Sequence, residues 1–107
     1  MFRVKSAMGN RLFIYGTLAD PGIQKEVWGR KTESIPDILK GYKKSEIKID
    51  GEIYPLIIPD ETGEVSGLVI EVTDEELKKI DEYETGAYKR KKVILESGAS
   101  VWVYVEK

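Results

Sequence analysis

Two stretches of this chain hold the groups able to do chemistry. Tyr15-Gly16-Thr17-Leu18 interrupts an apolar run, "FIYGTLADPG", just ahead of Asp20-Pro21. Residues 73–84, "TDEELKKIDEYE", concentrate carboxylates on one helical stretch. The composition limits what these groups can do. The 107 residues include no histidine and no cysteine. That excludes a Ser-His-Asp triad, a thiolate nucleophile and the common zinc sites, so no metal or cofactor is expected. Acid–base work falls to carboxylates, lysines and tyrosines.

Among the carboxylates, Glu84 stands apart by its angle on the helix. At about 100° per residue, Leu77 and Ile80 define the apolar side and Tyr83 extends it. Glu84 lies between Leu77 and Ile80, within about 20° of Leu77, while Glu75, Lys78, Lys79 and Glu82 turn outward. Asp81 sits at the margin of the apolar face. A carboxylate held against apolar surroundings has its charged form disfavoured, which raises its pKa toward the range of a general base. The same pattern fits a helix that frays by residue 84 and leaves Glu84 exposed or capping a loop.

The Tyr15–Leu18 stretch also reads two ways. It is either an ordinary strand-to-helix turn or a nest of main-chain N–H groups able to hold an anion. Gly16 permits close backbone approach in either case.

The elements that must place these groups follow from local signals. Arg11 to Tyr15 reads as a buried strand, and residues 1–10 as a short first strand or an arm. Asp20 is a suitable N-cap with Pro21 at the first helical position, and Gly29 ends that helix. Two strands over 38–58 are joined by Asp50-Gly51, a strong hairpin signal. Pro55 makes the second an edge strand or a bulged one. "PDETG" at 59–63 is expected to turn the chain before the strand "EVSGLVIEV". Thr73 and Glu76 match a capping box. "YKRKKVIL" and "SVWVYV" end the chain as strands, with a turn at Ser97-Gly98. The order predicts a mostly antiparallel α+β domain, a curled sheet or small barrel with helices against it, spanning 1–107 as one unit.

The bulk numbers fit a small globular domain: 41% apolar residues, 34% charged and a net charge of −2. That charge argues against nucleic acid as a partner, and the run Lys89-Arg90-Lys91-Lys92 splits between two faces of a strand. No apolar run is long enough for a membrane span, and no signal peptide is visible, so a cytoplasmic location is expected. Abundant Lys and Glu, with Asn10 and Gln24 the sole side-chain amides, give the composition a thermophilic cast.

"YGTL", "YPLII" at 54–58, "GEVSGLVIEV" at 63–72, "IDEYE" at 80–84 and "YKR" at 88–90, in this order and spacing, resemble the gamma-glutamylcyclotransferase-like family. "YPLII" resembles its gamma-glutamylamine cyclotransferase branch. The resemblance implies a small mixed, mostly antiparallel β-barrel with flanking helices. It implies that Tyr15, Gly16, Thr17 and Leu18 bind the glutamyl portion of a small gamma-glutamyl substrate. It also makes Glu84, the last residue of Asp81-Glu82-Tyr83-Glu84, the catalytic acid/base, with 5-oxoproline and an amine as products. Tyr88 could supply a hydroxyl to the same pocket or pack in the core. In this chain Thr85 stands before Gly86, where many relatives have glycine directly after the glutamate. A non-catalytic domain on the same fold, binding a small carboxylate or a protein, is the alternative, and a carboxylate-dependent hydrolase a further one. A monomer or a small homo-oligomer is expected.

Overall fold

The computed structural model describes residues 9–84 and 88–106. The expectation for residues 1–8 and the turn around Thr85 and Gly86 lie outside the described residues. Five strands form one sheet in the order β2-β3-β1-β5-β4. They are β1 (Asn10–Ile14), β2 (Ile35–Ile49), β3 (Glu52–Val72), β4 (Tyr88–Ile94) and β5 (Ser100–Glu106). Every pairing is antiparallel except the central one, where β1 runs parallel to β5 through Leu12↔Trp102 and Phe13↔Val103.

The sheet has two apolar faces, because successive β1 side chains point to opposite sides. Leu12 and Ile14 join Ile70, Val72 and Tyr104 beneath the helices, which add Trp28, Leu77 and Ile80. Phe13 joins Leu39, Ile57, Val65, Val101, Val103 and Val105 on the other face. Among the described residues no helix contributes to that second face. It is closed by the sheet's own curl, which brings the ends of the chain order together. The backbone N–H of Glu96 donates to the Ile38 carbonyl at 2.8 Å, and the Ser97 hydroxyl donates to Asp37. The result is a curled half-barrel with two helices on its outer face.

The helices begin and end where their caps dictate. α1 (Pro21–Trp28) opens with Asp20 accepting from the Gly22 N–H and closes at Gly29, whose φ of 89° is left-handed. α2 (Asp74–Tyr83) opens with the complete Thr73/Glu76 capping box. Its apolar side is narrower than the periodicity predicts, since Tyr83 is 47% exposed. Leu77 and Ile80 already fill the contact with β1 and β3, and the ring of Tyr83 lies outside it.

The hairpin at Asp50-Gly51 forms with both residues at positive φ, 50° and 82°. The turn expected at 59–63 does not reverse the chain. Asp60 does organise it, accepting from the N–H and hydroxyl of Thr62. Yet β3 resumes pairing with the same β2 afterwards: Tyr42↔Pro59 on one side of the irregularity, Lys40↔Glu64 on the other. Residues 60–63 loop out opposite Gly41, whose φ of 88° takes up the bend. Beyond that bulge the two strands run as an arm that pairs only with itself. Pro55 therefore sits opposite Glu46 in an interior strand that is locally an edge, because β1 reaches only residues 68–72 of β3.

Candidate active site

The stretch after β1 does not behave as a simple turn. Gly16 leads into a single 3-10 turn, Thr17–Ala19. Its carbonyls are pinned one after another: Gly16 O by the Ala19 N–H, Thr17 O by the Asp20 N–H, and Leu18 O by the amide nitrogen of Gln24. In a trans peptide the N–H points opposite to the C=O. Holding the carbonyls on one side therefore turns the N–H groups of Thr17 and Leu18 to the other. Among the described residues neither has an acceptor. The Leu18 side chain is buried in the helix-side core and Thr17 is exposed, so Leu18 can meet a ligand only through its backbone.

Gln24 is a residue that motif reading passed over. Its side chain is buried, and its oxygen accepts from the Thr32 N–H at 2.9 Å while its nitrogen holds Leu18. Trp28 Nε1 donates to Thr32 Oγ1 at 2.8 Å and completes the network. A polar side chain on the inner face of a short amphipathic helix was the available signal.

The wall opposite this loop comes from the β2–β3 arm and from β4. A Cβ on Gly16 would lie 3.0 Å from Pro55 Cγ, a tight contact that a larger residue could make only if the proline ring gave way by a few tenths of an ångström. The Tyr88 hydroxyl donates to the Pro55 carbonyl, and the Tyr15 hydroxyl donates to the Tyr104 carbonyl at 2.7 Å. Pro55 and Tyr104 thus anchor two of the expected site tyrosines, though neither carries a sequence signal of chemistry.

Glu84 caps the C-terminus of α2, its backbone N–H donating to the Ile80 carbonyl at 3.0 Å. Its side chain is half-buried, and among the described residues no donor bonds its carboxylate. Burial alone raises its pKa to about 7. It stands among tyrosines. Burial pushes the Tyr88 hydroxyl up to about 12, and the Glu84 charge adds to that rise. Tyr15 is raised by burial, by Tyr88 and then by Glu84. Tyr104 is raised mainly by burial and by its bond to Asp81, with a smaller push from Glu84.

Asp81, one turn earlier on α2, is bonded from three directions. Arg90 Nε and Nη2 donate to its two oxygens at 2.7 and 2.9 Å, and the Tyr104 hydroxyl donates at 2.6 Å. The Arg90 guanidinium also lies 4.4 Å from the Trp102 ring centroid. The Glu84 charge thus acts on the hydroxyls of both Tyr15 and Tyr88, and Tyr15 opens the loop that carries the two unclaimed N–H groups. Farther out, Tyr54 and Tyr83 form a rim whose hydroxyls also act on Tyr88. A surface groove of about 470 Å³ at the seam, lined by Asp37, Ile38, Ser66 and Ser97, contains none of these residues. Among the described residues no cluster of acidic side chains could hold a metal ion, and no helix is long and apolar enough to cross a membrane.

Comparison with known proteins gives the family and the fold. Residues 12–107 match the family described as "Gamma-glutamyl cyclotransferase, AIG2-like". AIG2-like protein C of Arabidopsis thaliana is 40% identical over 83 residues, which is 77% of this chain and 47% of that protein. The chain spans about half the length of the curated relatives it matches. A solution structure from Arabidopsis thaliana superposes with a TM-score of 0.81 at 31% identity, over 95% of this chain and 71% of that one. A structure named gamma-glutamyl cyclotransferase shares the fold, with a TM-score of 0.75 at 17% identity, over 92% of this chain and 66% of that one.

Proposed function

Because the chain belongs to the gamma-glutamyl cyclotransferase, AIG2-like family, we propose that it cyclises a small gamma-glutamyl amide, releasing 5-oxoproline and an amine. Glu84 is the general acid/base in this reading. Its support is one observation: a half-buried carboxylate with a pKa near 7 and no donor of its own among the described residues, set beside the Tyr15–Leu18 loop.

The substrate's α-amino group is protonated near neutral pH. Ionised Glu84 accepts one of its protons, and the freed nitrogen attacks the γ-carbonyl carbon to close a five-membered ring. The carbon–nitrogen bond to the leaving amine then breaks as protonated Glu84 returns that proton to the departing nitrogen. The second proton of the ring nitrogen passes through the again ionised Glu84 to the released amine, leaving a neutral lactam and an ammonium ion. Attacking and attacked atoms belong to one molecule, so the protein's task is to fold the substrate and move a proton. The Thr17 and Leu18 N–H groups supply donors for a negatively charged oxygen of the glutamyl portion. These steps call on no nucleophilic side chain, metal or cofactor.

The test is a panel of gamma-glutamyl compounds assayed for 5-oxoproline, with wild-type protein and with Glu84→Gln. Glu84→Gln is expected to lower release by about 10²–10⁴-fold. Turnover near the wild-type rate would remove Glu84 from the mechanism. Free glutamate in place of 5-oxoproline would make the protein a hydrolase. Ligand binding without turnover in any case would make it a binding domain.

A further inference from the structure

The hydroxyls on which the Glu84 charge acts are all committed elsewhere: Tyr15 to the Tyr104 carbonyl, Tyr88 to the Pro55 carbonyl, and Tyr104 to Asp81, which also holds Arg90. Residues three apart on a helix are neighbours, about 5–6 Å between Cβ atoms, so a side chain that reaches position 81 from outside stands close to position 84. Arg90 reaches Asp81 from β4, and Tyr104 reaches it from β5. Glu84 and Arg90 act on the same Tyr104 hydroxyl, with opposite sign. Asp81 thus takes both Arg90 hydrogen bonds and the Tyr104 proton, whereas Glu84, one turn on, receives no donor among the described residues.

We propose that Asp81 is a positioning residue that sequesters Arg90 and Tyr104, keeping Glu84 unpaired and able to exchange a proton. This rests on Glu84 being the acid/base. The Glu84 charge acts on Tyr15 at the end of β1, Tyr88 on β4 and Tyr104 on β5; Arg90 on β4 acts on the same Tyr104 hydroxyl while bonded to Asp81, and Tyr54 and Tyr83 act on Tyr88. Of these, Arg90 alone is a cation. Removing the Asp81 charge frees that cation beside Glu84, and an opposite charge within a few ångström lowers a carboxyl pKa by about 1–3 units.

The experiment is a ¹³C NMR titration of the Glu84 carboxyl in intact, ligand-free protein, which needs no turnover. In Asp81→Asn the Glu84 midpoint is expected to fall by one pH unit or more, and the double variant Asp81→Asn/Arg90→Gln should return it toward the wild-type value. An unmoved midpoint in folded Asp81→Asn would overturn the proposal. Arg90→Gln alone should leave the midpoint in place, because Arg90 does not serve Glu84 while Asp81 holds it. A rise of a full unit in that variant would overturn the proposal too, and it applies even if Asp81→Asn does not fold. Where wild-type turnover is seen, the acid limb of kcat/KM should move with the midpoint in Asp81→Asn. If no gamma-glutamyl compound turns over, the catalytic reading fails while the titration still decides the sequestration.

Discussion

The two ends of α2 carry the same residue type in opposite electrical situations. At the N-terminal end Glu76 caps Thr73, and its oxygens accept from Arg30 at 2.7 and 2.9 Å. The bond to Arg30 above all holds its carboxyl below the usual glutamate range, with the Thr73 backbone N–H helping. The helix dipole favours a negative charge there as well. At the C-terminal end Glu84 has burial without a side-chain partner among the described residues and a dipole that disfavours its charge, and its pKa rises to about 7. One end spends its carboxylate on holding the helix in place. The other keeps a carboxylate uncommitted, as a proton carrier must be. If Glu84 is the acid/base, its reactivity comes from what has been withheld from it.

The sharpest contrast between the ends is in pH. If Glu84 is the base, kcat/KM for 5-oxoproline release should rise about tenfold per unit up to pH 7 and level off above, a span of about 100-fold from pH 5. A flat profile across that range would erase the distinction between the ends. Next in size is the structural end. Glu76→Ala should cost about 1–3 kcal/mol of stability by losing the cap and the Arg30 pair, while turnover at temperatures well below Tm persists. An unchanged Tm would show that the N-terminal end does not carry the helix.

Stability should separate the ends by sign. Glu76, with its pKa lowered, stabilises the fold above the ordinary glutamate pKa of about 4.3, and that contribution is lost as pH falls. Glu84, with its pKa raised, binds a proton in the folded state that the unfolded chain has released. Its penalty therefore grows from about pH 4.5 to 7 and stays above that. Glu84→Gln should raise stability at pH 8 by roughly 1 kcal/mol, allowing for partial exposure, and leave it unchanged at pH 4. Denaturant melts at the two pH values check this, and a gain at pH 4 equal to that at pH 8 would assign the effect to packing. The smallest effect belongs to Tyr88→Phe. Loss of its bond to Pro55 should cost about 1 kcal/mol and lower kcat/KM by less than about tenfold.

Much of this contrast was legible before any coordinates. The Thr73/Glu76 box and the Asp20 and Gly29 caps are local, because each is made by residues within one turn of each other. Angle alone turned Glu84 inward or left it at a frayed end, and it stands half-buried at the C-cap of α2. What escaped were features made by distant segments. "PDETG" has turn chemistry, and Asp60 uses it, but whether the chain reverses depends on β2 being present on both sides of the bulge. Tyr83 fits the apolar periodicity yet is exposed, since its environment is set by how far β1 and β3 extend under the helix. Asp81, Tyr104 and Pro55 acquire roles only through partners that come from other strands.

The wall of the site that touches Gly16 is carried by an arm rather than by the body of the sheet. Pro55 lies beyond the bulge at Gly41, on strands that pair only with each other at that point. Its place follows from the arm's length, with buried Leu56 and Ile57 and the Tyr88 bond seating it against the body. Each pair of residues added to both strands between the bulge and Pro55 would move it about 7 Å outward with its face unchanged, whereas a single added residue would turn that face over. The interior of the half-barrel fixes where the arm starts, and the arm's residue count sets how far Pro55 stands from that start.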